Sequence, residues 1–304
     1  MDVIDRAEAL RAATDAARAA GDEVGLVPTM GALHEGHVSL IRRARDERRT
    51  VVVSIFVNPR QFSDPADLER YPRDEDRDLA LCDEYGVDTV WAPDVDEVYP
   101  PGAELPVPDP GPVGAAFEGT SRPRHFEGVL TVVHRLVDVT GPCAAYFGEK
   151  DAQQLFLVRR MVRHERLPVE VVACPTVREP DGLASSSRNA RLSPEEREQA
   201  GCLFLALSEA AAMARSGERD ANVLVAAMAR EIGATPLARL DYAAVVDDRS
   251  FERIGRIGPG VSPRALVAGD FPSARLIDNL RLSRHESVGD DGPSFRLEPE
   301  GKGP

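Results

Sequence analysis

Residues 50–57 read TVVVSIFV, apolar or β-branched at almost every position. A strand of that composition is stable only where both faces of its sheet are covered. The chain supplies the covering elements. Helical spacing of apolar residues runs through 5–20 and through 36–48, where Val38, Leu40, Ile41 and Ala44 form one stripe. Further helices are expected at 74–85, 128–139 and 151–163. Short strands are expected at 24–27 (ending at Pro28), 89–91, 144–147 and 169–173. This alternation predicts an α/β fold, a Rossmann-like parallel sheet with helices on both faces. Ligands of such sheets bind beyond the carboxyl ends of the strands. Polar clusters at 29–37, 58–61, 148–154 and 175–188 stand at those ends, so four loops on one rim could form one site.

The texture changes near residue 181. A long helix is expected at 193–214, with Ser193 as N-cap and Pro194 at the first helical position. A second helix at 220–232 and strands at 240–246, 265–268 and 274–279 predict a smaller α+β domain. The chain thus divides into 1–180, 181–284 and a disordered acidic tail at 285–304. Residues 58–73 read as a loop, and 92–124, dense in Pro and Gly, as a long irregular excursion of the kind that is usually functional.

Composition narrows the function classes. With 42% hydrophobic and 29% charged residues the 304-residue chain is an ordinary soluble globular sequence. Lys+Arg 37 against Asp+Glu 51 leaves a net charge of −14, which argues against a broad nucleic-acid or anionic-membrane surface. A small anionic ligand needs only a few converging cations. No apolar run approaches the ~20 residues that cross a bilayer. The first 20 residues lack a basic start followed by an apolar core, so a cytoplasmic location is expected. Cys82, Cys143, Cys174 and Cys202 form no CxxC pair and read as reduced thiols.

Four clusters carry chemistry. In MGALHEGH, His34 and His37 straddle a strand-to-helix turn with Gly36 between them. A glycine there lets a phosphate approach the backbone at a helix N-terminus, and imidazoles can donate hydrogen bonds to phosphoryl oxygens. The same spacing also reads as a zinc pair, though no third Cys or His lies nearby. In Gly148-Glu149-Lys150-Asp151, Lys150 can neutralise a phosphate, while Asp151 either accepts ribose hydroxyls or caps the following helix. Ser185-Ser186-Ser187-Arg188 is either a phosphate clamp or a solvated linker. Asn58 and Gln61 offer neutral amides suited to a small hydroxy acid; a simple turn at Asn58-Pro59 and an exposed Gln61 are the other readings.

These motifs resemble the pantoate–β-alanine ligase family of the HxGH nucleotidylyltransferase superfamily. VPTMGALHEGH, SIFVNPRQF, YPR at 71–73, RPRHFEGVLTVV, FGEKDAQQL and PTVREPDGLASSSRN occur in the family's order over residues 27–189. The resemblance implies ATP-dependent condensation of (R)-pantoate with β-alanine through a pantoyl adenylate, giving pantothenate, AMP and pyrophosphate for coenzyme A precursor biosynthesis. It implies a nucleotide- and pantoate-binding first domain and a lid-like second one. His37, the family's proton donor, would be catalytic with His34, Lys150 and Arg188. ATP would meet Met30, Gly31, Ala32, Leu33, His34, Glu35, Gly36 and His37. It would also meet Gly148, Glu149, Lys150, Asp151, Val177, Ser185, Ser186, Ser187 and Arg188. Gln61 and Gln154 would hold pantoate, with Gln61 also near β-alanine. Mg²⁺ would accompany ATP with no protein ligand named, no organic cofactor is implied, and the chain would form a homodimer. One position departs from the family pattern: Ser185 stands where a large apolar residue is common, which removes apolar area beside the adenine. Two rival functions are a superfamily enzyme that transfers a nucleotidyl group to a phosphate, and a non-catalytic nucleotide-binding protein. Neutral Gln61 and Gln154 speak against the first, and retention of His34, His37, Lys150 and Arg188 against the second.

Overall fold

The computed structural model describes residues 1–282; the expected tail at 285–304 lies outside them. Six strands, β1 (Asp2–Ile4), β2 (Val24–Thr29), β3 (Thr50–Ile55), β4 (Thr89–Trp91), β5 (Cys143–Gly148) and β6 (Val169–Cys174), form one sheet. Their order is β1-β4-β3-β2-β5-β6 and every pairing is parallel. Alternation across β3 explains its unbroken apolar run. Val51 and Val53 pack under the Glu35–Glu47 helix with Leu40, Ile41 and Ala44. Val52 faces the other side, where Leu130 and Val133 of the His125–Thr140 helix and Leu155 and Val158 of the Ala152–Glu165 helix lie. The strand order reverses between β2 and β5, so their carboxyl ends diverge and open a crevice.

Four expectations change in detail. β2 does not stop at Pro28 but runs to Thr29. The Thr29 carbonyl accepts from Phe56 N–H on the β3 side, which turns the Pro28 nitrogen toward β5, where the ladder has already ended at Leu26. The missing N–H therefore costs no ladder bond. The loop at 58–73 contains a 3₁₀ turn, Pro59–Gln61, and a short helix, Pro65–Glu69. The excursion at 92–124 contains the short helices Val95–Val98, Gly111–Ala115 and Glu118–Ser121. Asn58 and Asp64 cap the first two by accepting N–H groups two residues on. The helix expected at 193–214 is two helices, Pro194–Gln199 and Cys202–Arg215, broken where Leu203 N–H turns to the Ala200 carbonyl beside the weak helix former Gly201. Its start is a reciprocal cap, with Ser193 and Glu196 each accepting the other's backbone N–H.

β7 (Arg239–Asp247), β8 (Pro263–Asp270) and β9 (Arg275–Arg281) form a separate antiparallel sheet. One face packs on the Cys202–Arg215 and Ala221–Gly233 helices through Leu203, Leu207, Leu224, Val245 and Val267. From the other face Ala244, Val246 and Leu266 meet Phe117 and Ala152, so the second sheet seats on the first one's loops. Among the described residues no helix is long and apolar enough to cross a membrane.

Candidate active site

The loop after β2 is held by a side chain far away in sequence. Gly31 and Ala32 both take positive φ, and the Ala32 and Leu33 N–H groups donate to the two carboxylate oxygens of Asp78 at 2.7 and 2.8 Å. Asp78 is buried in the Glu75–Glu84 helix, so these bonds replace its hydration. Asp78→Asn would turn an amide N–H₂ onto one of the two donors. It is expected to cost about 1–3 kcal/mol in denaturant unfolding, the penalty of a buried polar group left unpaired.

The loop delivers His34 as N-cap of the Glu35–Glu47 helix, its Nδ1 accepting from Gly36 N–H at 3.1 Å. This orients the ring with its remaining N–H on Nε2. The His37 ring lies 4.2 Å away, tilted by 44°. Burial, then Lys150, pushes the His34 pKa down to about 4; burial, then His34, pushes that of His37 down to about 3. Both imidazoles are neutral at pH 7. Gly36 has a different use from the one the sequence suggested. A Cβ there would meet the His34 ring at 2.8 Å, so the glycine makes room for the imidazole, and its N–H is spent on His34.

Lys150 and Asp151 sit in a 3₁₀ turn, Glu149–Asp151, directly after β5. Burial raises the Asp151 pKa, but Lys150 and Arg188 outweigh it and hold the carboxyl below its ordinary value. Asp151 occupies the N-cap position of the next helix yet makes no capping hydrogen bond, which leaves the carboxylate to the cavity. After β6, Ser185 is buried with its Oγ 3.1 Å from His34 Nδ1, and Ser186 caps the Ser187–Arg191 turn. That stretch is packed structure and not a solvated linker.

Two adjoining cavities of about 170 and 430 Å³ open at the switch point and share Lys150, Asp151, Gln154, Ser186 and Arg188. The smaller gathers His34, His37, Lys150 and Arg188 from three separate loops, together with Met30, Gly36, Gly148, Val177, Ser185 and Ser187. Several expected contacts do not line either cavity. Leu33 is wholly in the core, Glu35 is exposed, and Gly31 and Ala32 serve the loop's own backbone. Glu149 turns away to Arg264 and Arg281. Gln61 is buried rather than exposed; its Nε2 donates to Met30 Sδ at 3.0 Å and its Oε1 accepts from Asn58.

The larger cavity holds groups the motifs did not single out for binding. Arg122 donates to the Gln61 carbonyl at 3.3 Å and makes no ion pair among the described residues. Burial, then Arg188, lowers its pKa to about 10. Asp67 pairs with Arg191 at 2.6 Å and lies 3.6 Å from Arg188. His134 pairs with Glu165 outside the site. The four cysteines are free.

Residues 2–281 match the family model described as pantoate-beta-alanine ligase. A pantothenate synthetase of Roseiflexus castenholzii is 53% identical over 270 residues, covering 88% of this chain and 95% of that protein. One of Thermotoga petrophila is 46% identical over 282 residues, covering 93% and 100%. The crystal structure of pantothenate synthetase from Thermus thermophilus superposes with a TM-score of 0.86 at 47% identity, covering 93% of this chain and 100% of that one. The pantoate-beta-alanine ligase of Francisella tularensis, complexed with beta-gamma ATP and beta-alanine, gives 0.75 at 32% identity, covering 94% and 100%.

Proposed function

The chain belongs to the pantoate–β-alanine ligase family, and from that premise we propose how its residues join pantoate to β-alanine at the expense of ATP. A carboxylate oxygen of (R)-pantoate attacks the α-phosphorus and pyrophosphate leaves. The β-alanine amine then attacks the acyl carbon, AMP leaves, and the ammonium gives up its proton to solvent. The observation that carries the reading is the convergence of His34, His37, Lys150 and Arg188 on one cavity at the sheet's switch point. Neutral imidazoles offer N–H groups to the α-phosphoryl oxygens as charge builds, and Lys150 and Arg188 neutralise the departing pyrophosphate. Asp151 would accept ribose hydroxyls and Val177 would present backbone to the adenine. Gln154 would hold pantoate through a neutral amide that leaves its carboxylate nucleophilic, and Gln61 would join it by giving up its contact with Met30. Arg122, unpaired beside them, suits the carboxylate of β-alanine.

Magnesium would enter with ATP and would neutralise part of its phosphate charge. Among the described residues no group of three or more His, Cys, Asp or Glu side chains is clustered as a metal site. A homodimer in the cytoplasm completes the proposal on family resemblance alone; light scattering tests the dimer. The main test is product identification by mass after mixing protein, ATP, Mg²⁺, pantoate and β-alanine, with each omitted in turn. Pantothenate plus AMP is expected only from the full mixture. A dinucleotide, or ADP with a phosphorylated acid, would overturn the reading.

A further inference from the structure

We infer that Asp278 and Asn279, adjacent in β9 of the second sheet, are positioning residues that fix Lys150 and Arg188 relative to one another across the cavity. The inference rests on the ligase reading above. Neighbouring side chains on a strand project to opposite sides, and here each reaches a different loop of the site. Asn279 Nδ2 donates to the carbonyls of Glu149 and Lys150 at 2.9 and 2.8 Å, which uses both of its hydrogens on the turn that carries Lys150. Its Oδ1 accepts from Arg264, itself held at 2.6 and 3.0 Å by the two carboxylate oxygens of Asp248, so the amide has one orientation. No other side chain of that length offers two donors and an acceptor.

Asp278 acts on the second loop. Its carboxylate takes both ends of the Arg178 guanidinium, at 2.6 and 3.0 Å. Arg178 also donates to the Gly182 carbonyl at 2.9 Å, stacks on Phe204, and pairs through its backbone with Ala184. It therefore closes the base of the hairpin that runs straight into Ser185–Arg188, where Ser185 N–H bonds the Val177 carbonyl. Asp278 and Asn279 are each only 4% exposed. The two cations that would flank a triphosphate thus hang from consecutive residues of one strand in the second sheet. Proper seating of that sheet becomes a condition for adenylation and not merely for shielding the site.

The test separates the half-reactions. Asn279→Ala is expected to lower kcat for pantoate-dependent ATP–pyrophosphate exchange on the order of 10²-fold, as the loss of a placed charge-stabilising group does. The variant should lose under about tenfold in converting supplied pantoyl adenylate and β-alanine to pantothenate, because no β- or γ-phosphate remains to be clamped and only the ribose contact of Asp151 on the same turn is disturbed. In a double-mutant cycle, adding Lys150→Ala to Asn279→Ala should cost under about threefold, since groups acting as one unit are not additive. Asp278→Asn should show the same coupling to Arg188→Ala. Equal loss in both half-reactions, or additive costs in the cycles, would overturn the inference. Asn279→Asp, of equal volume but without the two donors, gives the same readouts if the alanine variant does not fold. A parent protein with no pantoate-dependent exchange at all would overturn the ligase reading instead.

Discussion

His37→Ala is expected to lower pantoate-dependent ATP–pyrophosphate exchange on the order of 10²-fold or more, the cost of removing one preorganised donor from a transition state that gathers negative charge. The burial of both rings points to the kind of donor His37 would be. With pKa values held near 3 and 4, His37 and His34 carry no proton to release at pH 7. In the proposed reaction they would act through neutral N–H groups. The His37→Gln variant keeps a donor but cannot transfer a proton, so it should recover about tenfold of the alanine loss. For the same reason kcat/KM for ATP should show no imidazole inflection near 6.5 between pH 5 and 8. An inflection there, with His37→Gln as poor as His37→Ala, would mean a protonated imidazole is required. The depressed values also set an acid limb in stability. An unfolded histidine binds its proton below about 6.5, whereas folded His34, His37 and His125 bind theirs only near 4, 3 and 4. Between those limits the unfolded state holds more protons, so stability falls as pH drops from about 6.5 toward 4. Thermal denaturation across that range should show the fall, with a shallower slope for His37→Ala.

Local periodicity carried most of the first sheet, because a doubly covered strand and an amphipathic helix each write their environment into consecutive residues. It erred where the deciding fact was nonlocal. Pro28 looks like a strand end until the shortness of the β2–β5 ladder is known. Residues 193–214 have one helical period, yet the helix breaks at Ala200-Gly201. At the candidate site the motif loops were legible, but not which of their side chains face the cavity, nor the groups that hold them. Asp78 lies 45 residues beyond the loop it fixes, and Asn279 lies 129 beyond Lys150. An aspartate in an acidic helix and an asparagine in a strand carry no local mark of such a partner. Nor does a Pro-rich stretch tell that Arg122 lines the larger cavity without an ion pair among the described residues.

Gly128→Ala puts helix propensity and packing in direct opposition. Gly128 lies inside the His125–Thr140 helix, where alanine would ordinarily stabilise by about 1 kcal/mol. A Cβ at this position, however, would lie 2.2 Å from the Arg60 carbonyl oxygen and 2.8 Å from the Gln61 nitrogen. Those neighbours are backbone atoms of the Pro59–Gln61 turn and cannot rotate away. The Asn58 side chain further ties the turn to the helix by donating to the Gly128 carbonyl at 3.1 Å, and Tyr99 in turn donates to Asn58. Forcing the two backbones apart is expected to cost about 1–3 kcal/mol, as overpacking typically does, which outweighs the propensity gain and lowers the melting temperature by a few degrees. The functional cost should be larger than the structural one. The displaced turn carries Gln61, whose amide sits against Met30 and whose carbonyl is the anchor for Arg122 and His125. On the proposed role of Gln61 in holding pantoate, a displacement of about an ångström can cost as much as 10²-fold, so KM for pantoate should rise tenfold or more. The nearest neighbours of a Cβ on Gly128 all belong to the Pro59–Gln61 turn and none to the His34, Lys150 or Arg188 loops, so KM for ATP should move far less. A higher melting temperature with unchanged pantoate KM would show that the turn yields freely, and Gln61 would then owe its position to Asn58 and Met30 alone.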